Sequence, residues 1–167
     1  MSFLMQPLAR TKRRDLVYCA LAGLETGVLG GVLVLGWWAL SALVAGQPVW
    51  AIPARLGAYF CRGVVSRNEF AVAGVALQIS SAGTIGALFG LAVRGYWSLQ
   101  RVVLFGLATG LGWHYVGYEV LLRTVGLTAY SVPPRRTMLM GHLLFGLSLG
   151  MYRRFLGSLQ TGPRAHA

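Results

Sequence analysis

The chain has 167 residues, of which 56% are hydrophobic and only 11% charged, and its mean hydropathy is +0.62. A water-soluble domain carries about a quarter of its residues as charges, so this composition excludes an ordinary soluble fold and points to lipid. The net charge of +11 comes from 15 basic residues against four acids, Asp15, Glu25, Glu69 and Glu119. Because the arginines sit just outside the apolar runs, the basic balance fits anionic lipid headgroups and other membrane subunits as partners, and no nucleic acid.

The first predicted element is a membrane span over 16–45. Arg10 to Arg14 give it the basic start of an export signal, but the apolar run is too long for a signal core, so the span is read as retained. At 1.5 Å per residue it is roughly 45 Å long, more than the ~30 Å hydrocarbon core, so it must tilt or emerge at one end. Thr11 is the expected N-cap, with Asp15 in the first turn.

The segment that follows, 46–67, combines Pro48 and Pro53 with three arginines and with Trp50, Tyr59 and Phe60. It is too apolar for a linker and too charged for a span, and predicts a short interfacial helix over about 53–65. Ser66 and Glu69 then have the spacing of a capping box and open a second span over 70–93, which Arg94-Gly95 closes.

Ser98 is a candidate cap for a third span over 102–122, joined to the second by a tight turn, so these two are antiparallel neighbours. Glu119 stands four residues before Arg123, the spacing of an ion pair near the interface. After Ser131-Val-Pro-Pro, a fourth span over 137–152 lies between Arg135/Arg136 and Arg153/Arg154, short enough that the arginines must snorkel from both ends. Four spans put both termini on one side, and nine basic residues on that side against six on the other predict that it is the cytoplasmic side, as in a bacterial inner membrane. The expected fold is therefore all-α, an integral membrane four-helix bundle with a short interfacial helix between spans one and two.

Every span carries small residues at four-residue spacing: Gly23, Gly27 and Gly31; Ala82, Gly86 and Gly90; Gly106 and Gly110; Gly146 and Gly150. Lipid supplies little hydrophobic force between helices, so close backbone contact along such stripes is expected to hold the bundle together. Two short matches, Gly36-Trp37 with Gly112-Trp113 and Leu88–Leu91 with Leu144–Leu147, raise the idea of a duplicated hairpin.

Polar side chains at depth are the functional candidates. Glu25 lies a few turns into the first span and is expected to meet Arg94 or Arg101. His114, His142 and Gln78 come from three different spans yet share one layer, the two imidazoles roughly 12 Å and 8 Å from the outer end by helix rise. Imidazole beside glycine is the pattern of an axial haem or chlorophyll ligand, and equally of a hydrogen-bonded core histidine. Cys19 and Cys61 are expected on opposite sides and without a disulfide; no metal motif or catalytic set is recognisable. These features favour an accessory or scaffold subunit of a membrane assembly that is not catalytic by itself. The alternatives are a haem- or chlorophyll-bearing electron-transfer or pigment-binding subunit, and a small oligomeric transporter or channel.

Overall fold

A computed structural model describes residues 6–61, 63, 66–93, 97–117 and 134–161. These are helical throughout apart from turns: α1 Gln6–Val44, α2 Ala51–Phe60, α3 Phe70–Ala92, α4 Leu99–His114, α5 Arg135–Leu149 and α6 Tyr152–Thr161. Two stretches, Asp15–Val44 and Phe70–Ala92, are long and apolar enough to cross a membrane by length and composition.

α1 begins ten residues before the expected start, so neither Thr11 nor Asp15 opens it. The basic turn is good helix-forming sequence, and charge that bars it from lipid does not bar it from continuing as a helix in water. At its far end α1 stops in a Schellman motif: Gly46 takes a positive φ of 66°, its N–H donates to the Leu43 carbonyl at 3.0 Å, and the Gln47 N–H donates to Ala42 at 2.8 Å. Pro48 then prevents resumption. A short helix does occupy the segment between the first two expected spans, but shifted, α2 running Ala51–Phe60 with Pro53 in its first turn.

The start of α3 follows the sequence closely. A 3-10 turn, Arg67–Glu69, leads in, and the Glu69 carboxylate accepts from the Ser66 N–H at 2.8 Å and from its hydroxyl at 2.7 Å. α4 opens at Leu99 with the Ser98 hydroxyl accepting from the Arg101 N–H at 3.4 Å, then gives way after His114 to a π turn over 115–117. Arg94-Gly95, the Glu119–Arg123 pair and most of the loop before Pro134 lie outside the described residues. The last expected span is divided: α5 ends at Leu149, the chain turns at Gly150 and Met151, and α6 continues with Arg153 and Arg154 on its exposed side.

Both glycine stripes of α1 and α3 face one another. A Cβ on Gly23 would fall on the Gly86 carbonyl and 2.9 Å from Gly90 Cα; one on Gly27 would meet the Ala82 carbonyl and lie 2.9 Å from Gly86 Cα. Gly31 completes the seam against the Ala82 side chain at 2.9 Å. α4 and α5 repeat the arrangement, Gly106 against the Gly146 carbonyl at 2.5 Å, Gly110 against the His142 carbonyl and Gly146, and Gly150 against Val103 at 2.8 Å. The stripes are thus spent on packing the chain's own helices.

The two antiparallel pairs correspond. Gly23 meets residues 86 and 90 as Gly110 meets 142 and 146, the same shift that relates Leu88–Leu91 to Leu144–Leu147. Gly36-Trp37 and Gly112-Trp113 do not occupy equivalent places, since the seams make Gly23, not Val34, the counterpart of Gly110.

α1 is the central helix. Its other side takes α5, where Gly30 receives Phe145 and Ser148 and where Gly141 lies beside Val34, Trp37 and Trp38. The Trp37 indole N–H also donates to the Thr137 carbonyl at 2.8 Å. α2 folds back onto the start of α3 through a single close crossing of Gly57 with Phe70 and Gly74, and of Gly74 with the Pro53 carbonyl. α6 packs on α1, burying Tyr152 and Leu156 with Phe155 and Leu159 beside them, next to Tyr18 and Cys19. The Tyr152 hydroxyl donates to the Gly90 carbonyl at 3.1 Å and reaches Val93 at 3.4 Å, serving carbonyls that the end of α3 leaves open.

Candidate functional site

Where the glycine seams end, the helices part. At that level Trp38 of α1, Gln78 and Ser81 of α3, Trp113 of α4 and His142 of α5 surround a cavity of about 260 Å³, with Phe60 of α2 on its rim. Indole rings are too large to sit in a backbone-to-backbone seam, and they hold the helices apart here. Phe60 and Leu77 are exposed and apolar, so the mouth among the described residues is hydrophobic.

Two of the three residues expected from their shared depth, Gln78 and His142, line this cavity. His114 is buried at 7% exposure, and its ring stands 5.2 Å from that of His142 in an edge-to-face arrangement. The three therefore do meet in one layer. Trp38, Ser81 and Trp113 escape detection from depth alone, because their place depends on how each helix is rotated.

His142 Nδ1 lies 2.7 Å from the Met138 carbonyl one turn earlier. A carbonyl only accepts, so the proton is on Nδ1, and a neutral ring keeps its lone pair on Nε2 at the end away from the α5 backbone. The Ser81 hydroxyl is occupied by the Gln78 backbone carbonyl at 3.0 Å. Trp38 is 2% exposed, and its Nε1 is buried without a hydrogen-bond partner, close to Gly141. Such an orphaned donor costs about 1–3 kcal/mol.

Could the pair of imidazoles hold a macrocycle? With ring centroids 5.2 Å apart and one edge against the other's face, no slot for a plate lies between them. The cavity falls just below the ~300–1,000 Å³ of pockets that take drug-sized ligands, room for one substituted ring and far from that of a porphyrin or chlorin. Among the described residues no three His, Cys, Asp or Glu side chains come together as a metal site, and Cys19 and Cys61 are free.

No family model, curated protein or solved structure matches this chain.

Of the two partners expected for Glu25, Arg101 does not reach it. Glu25 is exposed on the outer side of α1, and it forms no ion pair with Arg101 or any other described residue; Arg94 lies outside them. The α1–α3 register fixes its level. Gly23 abuts Gly86 and Gly27 abuts Ala82, so Glu25 is level with Thr84, roughly 12 Å along the axis from the Ala92 end of α3. Its neighbours on that face, Leu21 and Val32, are 41% and 53% exposed.

Proposed function

We propose that the protein is a four-span membrane subunit that works inside a larger assembly, docking through the outer face of α1. In this reading α1, α3, α4 and α5 cross the bilayer, α2 lies in one interface and α6 in the other. Only 33% and 28% of the two most apolar stretches are buried within the protein, which suits helices bathed in lipid better than the core of a soluble domain. The hydroxyls on exposed faces support the same view. Ser80, Thr84 and Thr109 each donate to the carbonyl four residues back, at 2.7, 2.8 and 2.8 Å, which satisfies them without water.

Glu25 carries the subunit reading. An ionisable side chain at that depth is costly when it faces hydrocarbon alone, by several kcal/mol for a charge, and such groups regularly pair with a neighbour. No described cation of this chain reaches it, so a basic or hydrogen-bonding group of a partner subunit is the natural complement. Photo-crosslinkers at Leu21 and Val32, compared with one at the exposed Leu104 of α4, test this in native membranes. The α1 positions should give an adduct with another membrane protein that disappears on Glu25→Leu. Equal adducts from Leu104, or an adduct indifferent to Glu25→Leu, would sink the proposal, and an adduct with a second copy would replace it by self-association.

We assign the end of the molecule where α6 meets the N-terminal part of α1 to the cytoplasmic, anionic leaflet, because nine basic residues of the sequence fall on that side against six on the other. Thiol labelling of intact cells should reach Cys61 and spare Cys19; the opposite pattern inverts the topology.

A further inference from the structure

We infer that the cavity between Trp38, Trp113, Gln78 and His142 is a binding site for a hydroxylated aromatic ring, a phenol or hydroquinone bearing an apolar tail. His142 fixes the first requirement. Its Nδ1–H is held by the Met138 carbonyl, so the group it offers is the Nε2 lone pair, and a ligand must bring an O–H to it. Gln78 supplies the complement. Its carboxamide, from the facing helix α3, lines the same space and can donate to the oxygen whose proton goes to His142. One hydroxyl is satisfied by both.

The same two groups discriminate against other lipid-soluble molecules. A quinone carbonyl only accepts, and it would set its lone pair against that of Nε2. A carboxylate would enter a chamber with no cation among the described lining residues, leaving a buried charge unpaired. The shape agrees with the chemistry, since the indoles of Trp38 and Trp113 and the ring of Phe60 offer flat apolar walls. A volume near 260 Å³ suits one substituted ring, and the exposed, apolar Phe60 and Leu77 at the mouth leave a path for a tail into lipid. The residues that form it all belong to one chain, and it does not rest on the assembly proposed above.

The full chain in nanodiscs, titrated with a decyl-substituted benzohydroquinone, its oxidised quinone and decanoic acid, tests the inference through quenching of tryptophan fluorescence and equilibrium dialysis. The hydroquinone should bind saturably, roughly tenfold tighter than the quinone, the worth of one buried hydrogen bond, with no saturable binding of the acid. His142→Phe should remove that preference, and Gln78→Leu should weaken both redox forms. Leu77→Trp, at an exposed position on the rim, should obstruct the ring while leaving His142 intact, so the inference stays testable if His142→Phe fails to fold. Equal affinity for the two redox forms, or binding unchanged by His142→Phe and Leu77→Trp, overturns it, as does preferential binding of decanoic acid.

Discussion

The glycine seams and the cavity lie on the same helices a few turns apart, yet they solve opposite problems. In the seams backbone meets backbone, with Gly23, Gly27, Gly86 and Gly90 leaving no space for a single methyl group. At the cavity level Trp38 and Trp113 spread the helices and leave about 260 Å³ open. Small residues therefore make the rigid part of this molecule and large ones the hollow part. Lipid, the solvent proposed above for these helices, rewards such close approach and gives no premium for burying bulk.

The largest effect that would break this contrast is expected at the seam centres. Gly86→Leu or Gly110→Leu should destabilise the protein by about 3 kcal/mol or more, since the new side chain would have to displace backbone. Gly57→Ala, at the α2–α3 crossing, should cost about 1–3 kcal/mol. A methyl group at Gly36 or Gly112 meets nothing within 4 Å, so Ala there should stabilise the helix by about 0.5–1 kcal/mol. Unfolding in detergent–denaturant mixtures would measure all five. Loss at Gly36 equal to that at Gly86 would show that glycine acts here through something other than contact.

Next in size is Tyr152→Phe. Removing the hydroxyl leaves the Gly90 and Val93 carbonyls without that donor while the ring still packs on Phe89 at 5.9 Å, so a loss of about 1 kcal/mol is expected, with faster amide exchange at the end of α3. The smallest effect is pH-dependent. The Ser66 hydroxyl and N–H hold the exposed Glu69 carboxyl below its ordinary range, so its contribution is complete above the unfolded pKa and fades as pH falls through the folded value. Glu69→Gln should flatten that acid dependence in a thermal-unfolding series; an unchanged profile would mean that the turn before α3 is held by packing alone.

The parts of the fold legible in the sequence are those that local chemistry marks. α3 could be bounded within a residue because Ser66 and Glu69 announce its start, and the seams could be listed because four-residue spacing by itself puts small residues on one stripe. The crossing of Gly57 with Gly74 has one small residue on each element and no stripe to betray it. α6 was hidden for another reason. Tyr152, Phe155, Leu156 and Leu159 have helical spacing, but Arg153 and Arg154 read as the boundary of a span, and a helix that turns at Gly150 and lies on α1 satisfies both signals. For the candidate site, depth could group His114, His142 and Gln78, whereas rotation, which sequence encodes poorly in helices apolar all round, decides that Trp38 and Trp113 join them.

The contact of Tyr152 with the end of α3 also dictates an order of events. During synthesis α1, α2 and α3 leave the ribosome first and can close their glycine seam at once. The Gly90 and Val93 carbonyls must then wait, served by water or lipid headgroups, until a tyrosine about sixty residues downstream arrives. That tyrosine opens α6, which settles on the first helix made. In the four-span reading proposed above, the early half of the molecule inserts as a hairpin with an unfinished end, and that end closes only after Tyr152 has been made.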